Sequence, residues 1–146
     1  MAEDQTPAAY GPKIDKGPVA FVGNVGKDGV KLAYDSAGKP YAQFSVGAMS
    51  RVKDDAGAWV NGETAWHDVV VFKSGGAENV AESFQKGSRV VVVGRLQEQE
   101  VTKGDEITVR ATVLAEEVGA STRWAAVQHL TAERSTSAVA EGSSLA

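Results

Sequence analysis

The sequence predicts an all-β barrel with one short helix, and three patterns carry that prediction. Two segments, Ala42 to Ala48 and Ile107 to Val113, alternate apolar and polar residues as half-buried strands do. A continuous apolar run, Val90 to Val93, is typical of a strand covered on both faces. Between Gly76 and Gly87, apolar residues recur at helical spacing and indicate a helix of about three turns: Ala77, Val80, Ala81 and Phe84.

The first half of the chain divides at its turn residues. Residues 1–17 mix Pro, Gly, Ala and charges without a period, which predicts a flexible arm. A first strand runs from Val19 to Val25 and continues after a glycine break as Val30 to Tyr34. After the turn residues 35–40 comes the second strand, and the polar, Gly-containing segment Arg51 to Gly62 predicts a long hairpin loop.

The second half begins with a third strand that ends at Phe72. After the helix, a fourth strand runs from Val90 through Leu96, and the charged segment Glu98 to Asp105 predicts a second hairpin loop. The fifth strand runs from Ile107 to about Val118. Residues 120–146 are predicted to be a largely flexible C-terminal extension.

The third strand carries two large aromatic rings of the same parity. Successive side chains of a strand point to opposite faces, so Trp66, Asp68, Val70 and Phe72 share one face. The two rings are then about 20 Å apart, which suits stacking on separate bases of an extended nucleic-acid strand. The alternative is that both rings belong to a buried core.

Composition bounds the class of protein. A chain of 146 residues with 42% hydrophobic content can bury one core, which predicts one domain plus tails. There is no cysteine, no apolar stretch near 18 residues and no basic, apolar start, so we expect a cytoplasmic protein with no membrane contact. The net charge of −4 argues mildly against nucleic acid, although a local cationic groove decides that question.

No motif indicates an enzyme, a cofactor or a metal centre. The glycines around Lys27 lack the Gly-Lys-Ser/Thr ending that cradles phosphate before a helix. His67 and Asp68 are adjacent on a strand and face opposite ways, and the other histidine, His129, lies in the tail. Glu63 and Asp68 differ in parity and have no nucleophile beside them.

A series of short segments in a fixed order resembles the bacterial and phage single-stranded DNA-binding proteins. They are Val19-Ala20-Phe21-Val22-Gly23-Asn24, Gly38-Lys39-Pro40, Thr64-Ala65-Trp66-His67, Val70-Val71-Phe72, Glu78-Asn79-Val80-Ala81-Glu82, Lys86-Gly87-Ser88-Arg89-Val90 and Val93-Gly94-Arg95-Leu96. The resemblance covers Pro18 to Gly119. It implies a five-stranded OB-fold barrel over residues 18–119, with the helix between its third and fourth strands.

The resemblance also implies a function. Such a protein is not an enzyme; it binds single-stranded DNA with little sequence specificity, and it protects and wraps the DNA during replication, recombination and repair. It implies a homotetramer in the bacterial cytoplasm or nucleoid, or a phage protein in the host cytoplasm, with His67 on the buried or subunit-facing side.

For this function the candidate DNA-binding residues are aromatic platforms and nearby cations. Trp66 and Phe72 are the expected stacking platforms, and Trp59 in the predicted loop is a further candidate. The cations nearest the expected surface are Arg51, Lys53, Lys73, Lys86, Arg89 and Arg95.

Several positions depart from the family pattern. Where relatives usually carry tryptophan, this chain has Val52 and Val101, and Asp68 stands where they usually have arginine. The printed sequence ends without the acidic Pro-Phe run that recruits replication and repair proteins, and Arg123-Trp124-Ala125 resembles an extension of actinobacterial members. We therefore expect weaker DNA binding than in a typical member. An RNA-binding OB protein and an assembly or partner-binding paralogue with weak DNA affinity remain alternatives.

Overall fold

The structure, a computed structural model, describes residues 7–130 except for the side chains of Ser50 and Arg51. These residues form six strands, a 3-10 turn (Lys73–Gly75) and one α-helix. The strands are β1 (Ala9–Val25), β2 (Lys31–Tyr34), β3 (Pro40–Lys53), β4 (Trp59–Phe72), β5 (Arg89–Lys103) and β6 (Glu106–Ala120); the helix, α1 (Ala77–Ser83), lies between β4 and β5.

Five of the strands close into a ring in the order β1-β5-β6-β4-β3, and β3 pairs back onto β1. The link between β4 and β6 is parallel and runs through Val69↔Val113, Val70↔Leu114 and Val71↔Ala115. The other ring pairings are antiparallel. This ring, with its helix after the third of the five strands in chain order, confirms the predicted barrel.

Valine fills the interior of the barrel. The largest side chains with less than 2% exposure are Val46, Val69, Val71, Val90, Val92 and Val113. A β-branched side chain loses little freedom in a strand and packs well on a pleated surface, so valine suits a small barrel interior. Because the buried valines recur at every second residue, the residues between them face outward.

Strand β1 begins at Ala9, ten residues before the predicted start at Val19. Its first half pairs with the far half of β5, for example Lys13↔Gln99 and Asp15↔Gln97. The pairing shifts register twice, between Tyr10 and Lys13 and again after Asp15, so the segment shows no simple alternation that a sequence could display. Residues 1–6 and 131–146 of the predicted arm and extension lie outside the described residues.

Both predicted hairpin loops are mostly strand. β3 and β4 pair as far as Lys53↔Trp59, which leaves only residues 54–58 as loop instead of 51–62. The Asp54 carboxylate accepts hydrogen bonds from the backbone N–H groups of Ala56 and Ala58 and so closes this turn. β5 and β6 pair as far as Lys103↔Glu106. These hairpin ends are largely exposed to solvent. Ile107 and Val109 alternate with polar residues as in a half-buried strand, but they are 62% and 60% exposed, so that part of the prediction is wrong.

Two further elements differ from prediction. The segment predicted to continue the first strand is a separate strand, β2, which pairs with β3 at the outer edge of the sheet. α1 is seven residues long, about two turns rather than three. Phe84 is already extended, and the N–H of Gln85 donates to the Ser88 hydroxyl, a local bond that competes with further helix.

Gly94 provides a test of how closely the strands approach. A Cβ there would overlap the carbonyl oxygen of Leu114 in the paired strand, and backbone cannot move away as a side chain can. We expect Gly94→Ala to lower the free energy of unfolding by at least about 2 kcal/mol. Gly119→Ala is the matched control, because a Cβ at Gly119 meets nothing within 4 Å. Urea denaturation of both variants checks this; equal stabilities would contradict the packing described.

Candidate nucleic-acid interface

The outer face of the β3–β4 pair carries the residues singled out for stacking. In the register, Gly47 lies opposite Trp66 and Tyr41 opposite Phe72. Trp66 is 62% exposed and Phe72 is 51% exposed, while Val69 and Val71 of the other parity are buried. The alternative that both rings form part of the core is therefore wrong.

Trp66 rests on glycine backbone. The Cη2 and Cζ3 atoms of its ring lie 2.9 Å and 3.0 Å from the point where a Cβ on Gly47 would stand. The same Cζ3 atom lies 3.3 Å from the corresponding point on Gly26. Only glycine leaves room for the indole at this distance, so Gly47 and Gly26 form its seat and sequence reasoning did not identify them.

A bulge brings Trp59 to the same side of the strand pair as Trp66. Between Met49↔Thr64 and Arg51↔Asn61, β3 advances two residues and β4 advances three. In a regular strand, two residues seven positions apart face opposite ways, so the bulge is what turns Trp59 to the side of Trp66. Trp59, Trp66 and Phe72 therefore follow one face of one strand.

Lys53 sits over the ring of Trp59. Its Nζ atom is 5.2 Å from the ring centroid, within the range of a cation–π contact. The two residues are directly opposite in the hairpin, at its last pair before the turn. The structure thus joins two predicted site residues at the hairpin tip. Arg51 lies two residues earlier on β3, and its side chain is outside the described part of the chain.

Arg95 is already paired with a carboxylate. Its Nε atom donates to Asp15 at 2.7 Å, and the two side chains are 47% and 54% exposed. The hydrogen bond from Arg95, with a second from the Gly17 backbone N–H, lowers the pKa of the Asp15 carboxyl below its usual value. Arg95 is thus less available to phosphate than its position in the sequence indicated.

The remaining predicted cations belong to three different elements or loops. Lys73 follows Phe72 directly and is exposed, and Lys86 is exposed in the loop before β5. Arg89 is half-buried, and its guanidinium carbon is 5.9 Å from the ring centroid of Trp124. Its Nε atom is buried and makes no hydrogen bond within residues 7–130.

A groove of about 390 Å³ opens beside Phe72. Its walls come from five elements of the barrel, including the first half of β1. The lining residues are Lys13, Asp35, Tyr41, Gln43, Val70, Phe72, Gln97, Gln99, Arg110, Thr112 and Leu114. Tyr41 and Arg110 were not predicted as site residues, although their outward parity in alternating strands was a usable signal. Lys13 lies in a segment without alternation, so its orientation could not be predicted from the sequence.

His67 and Asp68 point to opposite sides of β4. The His67 ring stacks on Phe21 with centroids 4.1 Å apart and planes at 25°. Asp68 is exposed on the outer face, two residues from Trp66. In the described part of the chain, no three His, Cys, Asp or Glu side chains form a group able to hold a metal ion. No helix among these residues has the length and apolarity needed to cross a bilayer.

The family model described as "Single-strand binding protein family" matches residues 18–121. The chain belongs to this family. The resemblance of the chain to this family is therefore confirmed. Because the family is one of binding proteins, the prediction of a non-enzymatic protein is confirmed as well. The match covers the whole barrel from the second half of β1 to the end of β6.

Relatives with similar sequences come from actinobacteria. A single-stranded DNA-binding protein of Mycolicibacterium smegmatis is 36% identical over 120 residues, which are 80% of this chain and 71% of that protein. The corresponding protein of Mycobacterium leprae is 35% identical over 120 residues, covering 80% of this chain and 70% of its own length.

Solved structures share the fold. The crystal structure of a small single-stranded DNA-binding protein from Streptomyces coelicolor has a TM-score of 0.63 and 25% identity, and covers 72% of this chain and 94% of that one. A Plasmodium falciparum SSB in complex with ssDNA has a TM-score of 0.58 and 21% identity, covering 67% of this chain and 84% of that one. Both support the predicted OB-like barrel.

The seat of Trp66 can be tested by adding one methyl group. We expect Gly47→Ala to tilt the indole off β3, because the added Cβ would meet ring carbons at 2.9–3.0 Å. In a chain whose other tryptophans are replaced by phenylalanine, the variant should change the Trp66 emission spectrum while the barrel stays folded by circular dichroism. Gly119→Ala, where a Cβ meets nothing within 4 Å and φ is not positive, is the control for the mutation itself. An unchanged spectrum would show that the ring does not rest on Gly47.

Proposed function

We propose that this protein binds single-stranded DNA with little sequence preference through the outer face of β4. The observation that carries the proposal is the exposure of Trp66 and Phe72 on a strand whose Val69 and Val71 are buried in the core. Large exposed rings are costly to leave in water, and here three of them, with Trp59, follow one strand of a family member. Bases stacked on these rings would cover them.

Stacking explains why the ligand is single-stranded. Every base has a π-face, so rings bind any sequence, and each stacked base contributes roughly 1–3 kcal/mol. In a duplex these faces are covered by neighbouring bases, so platforms such as Trp66 and Phe72 have nothing to hold. The proposed site therefore favours unpaired strands by the geometry of the contact.

In this chain we expect the contacts of cations with phosphates to contribute less to the binding of DNA than the stacking of bases does. Lys73 and Lys86 are exposed and available to phosphates, whereas Lys53 lies over the Trp59 ring and Arg95 is held by Asp15. Asp68 places a negative charge beside Trp66 on the proposed face. Each phosphate neutralised on a single strand gives a log–log salt slope near −0.7, so few contacts give a shallow slope. We expect weak salt dependence relative to a strongly cationic binder.

The proposal is tested by titration with oligo-dT, followed by tryptophan fluorescence. Trp66→Ala and Phe72→Ala should each weaken binding by about 5- to 150-fold, the equivalent of a lost stack of roughly 1–3 kcal/mol. Trp124→Ala is the matched control, since Trp124 is 72% exposed but lies outside β4. The proposal would be refuted if duplex DNA competed as well as oligo-dT. It would also be refuted if the variant that combines Trp66→Ala and Phe72→Ala bound oligo-dT as tightly as the wild type. Poly-U as competitor separates DNA from RNA preference.

We further propose a homotetramer that wraps DNA in the bacterial cytoplasm during replication, recombination and repair. One edge of β1 supports association, because within the described residues that edge pairs with β3 only at Asn24 and Val25. Val22 and Val93, on the outer side of the same sheet, are 39% and 41% exposed. An unpaired strand edge beside apolar side chains is a common site of association. Sedimentation equilibrium should give four times the chain mass; a monomer would contradict this proposal.

A further inference from the structure

We infer that the groove beside Phe72 is a subsite for one nucleotide, in which Lys13 and Arg110 hold the flanking phosphate. This inference rests on the proposed binding of single-stranded DNA and names two cations of that site that the sequence did not identify. The groove volume of about 390 Å³ is near the lower end of the range for small-ligand pockets, roughly 300–1,000 Å³. It suits one nucleotide rather than a run of stacked bases.

The register of three strands places the two cations on either side of Gln99. Lys13 of β1 lies opposite Gln99 of β5, and Gln99 lies opposite Arg110 of β6. Two strand spacings separate their Cα atoms, about 9.5 Å. Both long side chains line the groove and can reach a common point above Gln99. A phosphate at that point would contact both charges.

Neither cation has a partner in the described part of the chain. Lys13 and Arg110 make no ion pair or side-chain hydrogen bond among residues 7–130, in contrast to Arg95 and its 2.7 Å contact with Asp15. A free ammonium and a free guanidinium converging on one groove form an anion site, and guanidinium in particular matches the geometry of phosphate.

The other walls of the groove suit a base. Phe72 and Tyr41 are directly opposite each other on β4 and β3, which places aromatic surface at one end. The side-chain amides of Gln43 and Gln97 face the groove and make no hydrogen bond within residues 7–130, so they can meet the polar edge of a base. The Gln99 amide instead donates to the Gly11 carbonyl oxygen at 2.8 Å and fixes the wall formed by β1.

One carboxylate, that of Asp35, also lines the groove, and it is hydrogen-bonded within its own turn. The Asp35 Oδ1 atom accepts hydrogen bonds from the backbone N–H groups of Ala37 and Lys39, both at 2.9 Å. It belongs to the turn between β2 and β3. The two cations outnumber it, so the groove as a whole favours an anion.

The test is a salt-dependent titration with oligo-dT of about 16 nucleotides, the upper site size of one OB fold. Lys13→Ala and Arg110→Ala should each make the log–log salt slope shallower by about 0.7, the value for one phosphate contact on a single strand. Lys13→Arg and Arg110→Lys should keep the wild-type slope. Lys16→Ala is the matched control: it removes the same charge from the same strand, but Lys16 does not line the groove.

A double-mutant cycle tests whether base and phosphate belong to the same nucleotide. If they do, Phe72→Ala and Arg110→Ala together should weaken binding by at least about twofold less than the product of the two single losses. Wild-type slopes for both alanine variants, or a Lys16→Ala effect as large as that of Lys13→Ala, would overturn the subsite. If Trp66→Ala still weakens binding in that case, the proposed function stands. Failure of the wild-type protein to bind oligo-dT would refute both.

Discussion

The burial of Val69 and Val71 is the constraint on which the proposed site depends. These two side chains are 1% and 0% exposed inside the barrel, and they also belong to the short parallel link between β4 and β6 that closes the ring. Because a strand alternates its faces, fixing them inward fixes Trp66 and Phe72 outward. A shift of the pairing by one residue would bury the rings and expose the valines, at the cost of the whole core.

The distribution of charge follows from the same architecture. The chain has a net charge of −4, yet its cations differ in what they are free to do. Arg95 is neutralised by Asp15, and Lys53 lies over an aromatic ring, while Lys13 and Arg110 line an open groove without partners among the described residues. A count of basic residues would not separate these cases, because the separation depends on which strands are paired.

The sequence predicted the barrel and its core strands from the alternation of Ala42 to Ala48 and the apolar run Val90 to Val93, and the outward face of β4 from the shared parity of Trp66 and Phe72. It did not predict that β1 begins at Ala9, since two register shifts and wet faces remove any period there. For the same reason Lys13 was assigned to a flexible arm. Trp59 was placed in a loop, and its orientation depends on an extra residue in β4 that becomes visible only when β3 is aligned beside it.

That extra residue has an evolutionary consequence. Losing one residue of β4 between Asn61 and Thr64 would remove the bulge and leave Trp59 six positions from Trp66, which in a regular strand is the same face. The composition of the chain would hardly change, and no aromatic residue would be gained or lost. The length of this hairpin can therefore change by one residue within a lineage while the number of rings that meet the ligand stays the same.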